Sequence, residues 1–331
     1  MKAKVQAVMK TFLEIVGGVA GIVLLYYGAE FLIRGGVGVA RKLHIPELIV
    51  GLTLVAFGTS APEFVVSLSA GISGKGDIAI GNIVGSNICN IALILGLCAL
   101  IRPLSVNPRL FRMDLPIMTA STLLLAVFLF FFYGVGRWQA GIFLLMMAGF
   151  IAWQFLSAKK NREDAAALAE ELEENAGNKN HSAIVLLLMV AGGLLGLVAG
   201  ARLFVNGAVS AARFLGVPEA IIALSLVALG TSLPELATSL VAALKKQGDI
   251  AVGNVVGSNI FNILFILGIA PLVRPFSARG ISPVDCAVMV LVTLLAVPFM
   301  WTRKRISRAE GALLLAVYVA YIVFLAFFPL G

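Results

Sequence analysis

A chain of 331 residues that is 60% hydrophobic and only 13% charged, with a mean hydropathy of +1.02, excludes a water-soluble fold. A soluble domain carries about 25% charged residues, so the solvent for most of this chain is lipid. The net charge of +8 does not indicate nucleic acid: Lys and Arg are scattered through short loops instead of gathered on one face, and read as charges that orient the protein in a bilayer.

Runs of about 20 apolar residues mark membrane spans. In chain order ten of them fall near 12–38, 47–73, 78–101, 113–133, 138–157, 183–211, 219–244, 250–272, 284–301 and 309–329. Lysines ahead of the first run imitate a secretory signal. The run is longer than a signal's apolar region and has a counterpart later in the chain, so it reads as a retained helix. The most polar connection, 158–182, is AKKNREDAAALAEELEENAGNKNHS. Its AAALAEELEE core predicts one short helix, and without a DxDxDG calcium loop it reads as a linker, not a cation sensor. Cys89, Cys98 and Cys286 show no CxxC spacing, and His44 and His181 are far apart. No zinc, haem or other resident cofactor is expected.

The chain repeats itself. Shifted by 172 positions, residues 51–103 align with 223–275 without a gap, and 31 of those 53 positions are identical. The match extends outward, with GAEFLIRGG at 28–36 facing GARLFVNGA at 200–208. The expected division is a first five-helix repeat at 1–157, the linker 158–182, and a second five-helix repeat at 183–331. Five spans per half make the second half enter the membrane from the opposite side. The expected fold is therefore all-α, ten transmembrane helices in two inverted repeats, the design of many secondary transporters with a midplane site. Eight Lys and Arg fall on the side holding the termini and sixteen on the other. The sixteen-residue side, with the linker, is expected to be cytoplasmic in a plasma (inner) membrane, and both termini outside.

Glu63 and Glu235 sit at equivalent positions deep in apolar spans, where an ionisable group costs at least ~2.5–3.5 kcal/mol. Thr59 and Glu63 are four apart and share a helix face. Pro62 lacks an N–H, so it is expected to distort the helix and free the Gly58 carbonyl; Gly230, Thr231, Ser232, Pro234 and Glu235 repeat the arrangement. The next span of each half reads GDIAIGNIVGSNICNI at 76–91 and GDIAVGNVVGSNIFNI at 248–263. These place Ser86 with Asn90, and Ser258 with Asn262, on one face each. Hydroxyl, amide, carboxylate and carbonyl oxygens together suit hard cations such as Na⁺ or Ca²⁺. Gly81, Gly85, Gly253 and Gly257 read as close-packing positions. Asn82, Asn87, Asn254 and Asn259 fit either helix–helix hydrogen bonds or support of the site. Asp77 and Asp249 open their helices and read as N-caps. Ser67 and Ser239 read as packing or backbone-bonded hydroxyls.

GTSxPE followed by GNxxGSNIxN, once in each half, resembles the paired α-repeats of the sodium/calcium exchanger family, within the cation/Ca²⁺ exchanger superfamily, in its prokaryotic form. The resemblance implies a Na⁺/Ca²⁺ antiporter working by alternating access, with the two ions and the lipid bilayer as its partners and no obligatory protein partner. It implies coordination by Thr59, Ser60, Glu63, Ser86 and Asn90, by Thr231, Ser232, Glu235, Ser258 and Asn262, and by the carbonyls of Ala56 and Ala228. The spans 12–38 and 183–211 are expected to slide across the rest. Many members carry Asp where this chain has Asn262, and potassium-dependent relatives often carry Asp at the place of Asn90 too. Two Asn leave at most two negative charges in the site, enough for one Ca²⁺, and point away from K⁺ co-transport.

Three other classes compete. Glu63 and Glu235 also suit Ca²⁺/H⁺ or another cation/H⁺ antiport, although the GNxxE-like signature of proton-coupled relatives is missing. A channel would use similar ligands, but inverted repeats favour a carrier. An intramembrane enzyme has no support, with neither HExxH nor GxSxG present.

Overall fold

The computed structural model describes residues 2–43, 47–172, 182–215 and 228–327. Nearly all of them are helical. Helix α1 spans Lys2–Leu43. Helices α2 (Leu48–Thr59) and α3 (Ala61–Ile72) meet at a 44° bend. Then come α4 (Gly76–Ile101), α5 (Asp114–Phe132) and α6 (Arg137–Leu172). The second half holds α7 (Ala183–Phe214), a turn at Ala228–Gly230, α8 (Leu233–Leu244), α9 (Gly248–Val273), α10 (Pro283–Trp301) and α11 (Arg308–Phe327).

Among the described residues seven helices are long and apolar enough to cross a membrane, or eight if the bent pair α2–α3 counts as one span. The expected span 138–157 lies inside α6. Of the expected span 219–244, residues 219–227 lie outside the described residues, and 233–244 form α8. Of the expected linker, residues 173–181 also lie outside. The AAALAEELEE stretch is not a separate helix: it continues α6 to Leu172. No Gly or Pro interrupts the chain between Leu156 and Leu172, and Ala, Glu, Leu and Lys all favour propagation.

Burial sorts the helices into a centre and a periphery. In α4 and α9 the most apolar stretches are 78% and 83% buried, against 28% in α1 and α7 and 17% in α11. The two copies of GDIAxGNxVGSNI thus form the core, where the polar motif has protein on every side. The halves are also stitched crosswise. Strand β1 (Leu104–Ser105) pairs antiparallel with β4 (Arg305–Ile306), and β2 (Gly134–Val135) with β3 (Phe276–Ser277). A shift of 172 carries β1 onto β3, so these are two copies of one contact. The α3–α4 and α8–α9 turns match too: Gly74 has φ 76° and its counterpart Lys246 has φ 67°. Glycine takes that backbone without strain, whereas lysine is forced into it.

The peripheral helices α1 and α7 pack against each other backbone to backbone. A Cβ on Gly21 would lie 2.7 Å from the Gly200 carbonyl oxygen, one on Gly28 2.9 Å from that of Gly193, and one on Gly207 2.6 Å from that of Glu14. The partners fall in number as the α1 residues rise, so the helices run antiparallel. Gly21 and Gly28 shifted by 172 are Gly193 and Gly200, so this interface too is one contact made twice. In lipid there is no hydrophobic drive to join two helices, and small residues replace it by close van der Waals approach. Gly28→Ala pushes a methyl against the Leu197 nitrogen and the Gly193 oxygen, neither of which can move without its helix. It is expected to lower stability by about 1–3 kcal/mol, read as an earlier thermal unfolding in detergent. Gly192→Ala, with nothing within 4 Å of the added carbon, is the control expected to show no loss.

Candidate cation site

Each half breaks a helix at the same serine. Ser60 (φ −80°, ψ 4°) ends α2, and Ser232 (φ −87°, ψ 5°) precedes α8. Pro62 and Pro234 therefore do not distort a continuous helix, as their place in the sequence suggested. They sit in the first turn of a new one, where a missing N–H costs nothing. The break two residues earlier sets Glu63 and Glu235 in the first turns of α3 and α8, at helix ends that favour negative charge. Both glutamates are fully buried.

The two halves then exchange hydrogen bonds. Ser60 Oγ donates to Glu235 Oε1 at 2.9 Å, and Ser232 Oγ donates to Glu63 Oε1 at 3.1 Å. Ser232 Oγ is also 3.2 Å from Ser86 Oγ. Thr59 and Ser258 adjoin Glu235, and Thr231 adjoins Glu63. Thr59 Oγ1 donates to Asn254 Oδ1 at 3.2 Å and Thr231 Oγ1 to Asn82 Oδ1 at 3.3 Å, again from one half to the other. The Ala56 carbonyl, expected as a ligand, faces Ser60 N at 3.0 Å and Thr59 Oγ1 at 3.3 Å. Ala228 opens the turn before Thr231, and its side chain lies outside the described residues.

The four asparagines left open between two roles make hydrogen bonds between helices, and these bonds reach residues of the candidate site. Asn82 Nδ2 donates to Ser67 Oγ at 3.0 Å and to the Glu63 carbonyl at 3.4 Å. Asn254 does the same with Ser239 at 2.9 Å and the Glu235 carbonyl at 3.3 Å. They tie the carboxylate-bearing turns to the central helices. Asn90 Nδ2 donates to Asn259 Oδ1 at 2.9 Å, and Asn262 Nδ2 to Asn87 Oδ1 at 3.0 Å. Ser67 Oγ donates to the Ala79 carbonyl at 3.4 Å, the backbone bond expected of it, and both Ser67 and Ser239 accept from asparagine amides.

What this network leaves unbonded is informative. Glu63 Oε2, Glu235 Oε2, Asn90 Oδ1, Asn262 Oδ1 and Ser258 Oγ are buried and without a hydrogen-bond partner among the described residues. A buried polar atom left unpaired costs about 1–3 kcal/mol. These five oxygens, two of them carboxylate and three neutral, come from both halves and are of the kind that hard cations take as ligands. Each of the ten expected side chains is buried, save Thr231, which is half-buried.

Two expectations need correction or addition. Asp77 and Asp249 are not N-caps: the cap positions are Lys75 and Gln247, with no side-chain capping bond. Instead Asp77 Oδ1 accepts from the Gly280 N–H at 2.9 Å and Asp249 Oδ2 from Asn107 Nδ2 at 3.3 Å, joining each central helix to a distant loop. Sequence reasoning also missed Tyr318, whose hydroxyl meets the Cys89 thiol beside Ser232 at the edge of the site. Cys89 had read as a small hydrophobe, and no motif surrounds Tyr318.

Long apolar helices around a buried core that holds two carboxylates and unpaired neutral oxygens define a polytopic membrane protein with a polar centre. Comparison with known proteins specifies the family. The sequence profile described as "Sodium/calcium exchanger protein" matches residues 13–156 and 185–327. The sodium/calcium exchanger MaX1 of Methanosarcina acetivorans is 34% identical, over 92% of this chain and 96% of its own. The putative antiporter CaxA of Alkalimonas amylolytica is 37% identical over 91% and 95%. A solved structure of the sodium-calcium exchanger NCX_Mj superimposes with a TM-score of 0.79 at 32% identity, covering 95% of this chain and 98% of that one. The chain belongs to the sodium/calcium exchanger family.

The buried asparagine brackets set a stability test. Asn254→Leu strips Ser239 Oγ, Thr59 Oγ1 and the Glu235 carbonyl of a partner at once. It is expected to destabilise by at least about 1–3 kcal/mol, visible as a lower midpoint of thermal unfolding of the purified protein.

Proposed function

We propose that the chain is a secondary active antiporter that exchanges Na⁺ for Ca²⁺ across the plasma (inner) membrane by alternating access. The observation that carries this reading is the set of unpaired buried oxygens around Glu63 and Glu235. Ca²⁺ takes six to eight oxygen ligands, and two carboxylates balance its charge. In this reading the two glutamates bridge a central ion with Asn90 and Asn262. The hydroxyls of Thr59, Ser60, Ser86, Thr231, Ser232 and Ser258 and the carbonyls of Ala56 and Ala228 serve flanking Na⁺ positions. Two negative charges do not comfortably hold Ca²⁺ and a full set of Na⁺ together. Mutual exclusion of the two ions in one site yields exchange.

The proposed architecture is ten spans in two inverted repeats. The antiparallel run of α1 against its own counterpart α7 supports it, since equivalent helices crossing a membrane in opposite directions are what inversion means. The Lys and Arg distribution supports a cytoplasmic linker with both termini outside. The solved structure that resembles this chain is described as an exchanger soaked with Na⁺ and Sr²⁺, and a divalent alkaline-earth ion is in keeping with the same oxygen set.

Vesicles loaded with Na⁺ and diluted into Na⁺-free buffer are expected to take up radioactive Ca²⁺. Glu63→Gln and Glu235→Gln are each expected to abolish that uptake, with correctly folded protein confirmed by its elution profile. Full activity in either variant moves the site elsewhere. Uptake driven by a pH gradient and indifferent to Na⁺ replaces this reading with cation/H⁺ antiport.

A further inference from the structure

The amides of Asn90 and Asn262 are useful to a cation only if they turn oxygen, not nitrogen, toward it. Both side chains stand at the second position of a wide π-helical turn, Cys89–Leu95 and Phe261–Ile266. Such turns interrupt α-helices at functional sites. Both amides spend their N–H on an asparagine of the opposite half, and both oxygens are left unpaired in the core. An amide is nearly symmetric in shape, so packing alone does not choose its direction. Hydrogen bonding does.

The direction is set from one end. Asn259 Nδ2 faces the backbone carbonyl of Asn87 at 3.4 Å. A carbonyl only accepts, so this contact turns the nitrogen of Asn259 toward it and the oxygen away. That oxygen accepts from Asn90 Nδ2 at 2.9 Å, which turns the Asn90 oxygen away in its turn. We propose that Asn259 is a positioning residue: a relay from the Asn87 carbonyl through Asn259 fixes Asn90 with its oxygen facing the cation, whereas Asn87, whose own amide is not anchored, only accepts from Asn262. Neither touches the ion.

The relay is not symmetric, and this makes it specific. Asn259 has both ends engaged, whereas Asn87 Nδ2 has no partner among the described residues. A carboxylate at position 262 is therefore tolerated, because the Asn87 amide turns over and donates to it at no loss. A carboxylate at position 90 faces the Asn259 oxygen. Relief by turning Asn259 sets that oxygen against the Asn87 carbonyl. The relay thus confines an added charge to one of two otherwise equivalent positions.

This inference rests on the proposed cation site, and the test separates the two. Ca²⁺ binding to the purified full-length protein is measured by calorimetry for wild type, Asn259→Leu, Asn90→Asp and the double variant. Removing the acceptor in Asn259→Leu frees the Asn90 amide to turn its nitrogen inward, and affinity is expected to fall by about 10-fold or more. Asn90→Asp is expected to weaken binding in the wild-type background and to strengthen it in the Asn259→Leu background, where a carboxylate offers an oxygen in either orientation. A simple charge effect has the same sign in both backgrounds, and that result overturns the relay while leaving the cation site standing. Wild-type affinity in Asn259→Leu also overturns it. A wild type that binds no Ca²⁺ overturns both. Should Asn259→Leu not fold, Asn259→Ala with and without Asn90→Asp asks the same question. Unchanged affinity in Asn259→Ala is then the overturning result.

Discussion

Two carboxylates occupy the centre of this protein, and each is held by a serine from the other half. Ser60 bonds Glu235 and Ser232 bonds Glu63, so neither half completes its own acidic group. A buried carboxylate demands compensation on every side. The rest of the structure is arranged to supply most of it and to withhold the remainder. Each carboxylate lies in the first turn of its helix, hydroxyls bond one oxygen of each, and the second oxygen is left unpaired among the described residues. The broken helices exist for this reason. Irregular backbone at membrane depth survives only inside protein or along a cavity, and α4 and α9, the most buried helices, provide the surroundings.

The crossing of bonds also explains how the halves are kept in register. Thr59 with Asn254, Thr231 with Asn82, Asn90 with Asn259 and Asn262 with Asn87 all span the two repeats. The short strand pairs at the two ends do likewise. A polar network is strong only when its members are satisfied together, so an error in one half is felt in the other. The α1–α7 pair lies outside this network and is joined by close backbone contact along glycines. A hydrogen bond from Ser210 Oγ to Glu14 adds one directional contact to this pair.

The relay of asparagines shows how near-symmetry and exact chemistry differ. Equivalent residues occupy equivalent places, yet Asn87 and Asn259 have different partners because they contact each other: Asn259 reaches the Asn87 backbone, and the reverse bond is not formed. Two side chains meeting at the same spot near an axis compete for it, and one arrangement is taken.

Much of this was legible in the chain alone. Composition dictated a membrane solvent, and the 172-residue shift exposed the duplication. Two glutamates in apolar runs identified the centre of the site, because such groups are too costly to keep without a use. The i, i+4 spacing of Ser86 with Asn90 and of Ser258 with Asn262 put each pair on one face. Only the tertiary structure decided the rest. Glu63 and Ser232 are 169 positions apart, and Asn90 and Asn259 also 169. No periodicity within a helix reports a bond made to another helix. The break at serine instead of proline, the loop bonds of Asp77 and Asp249, and the direction of each amide are likewise set by what stands opposite. Local sequence determined which oxygens were available; the packing of the two halves determined which of them were bonded and which were left unpaired.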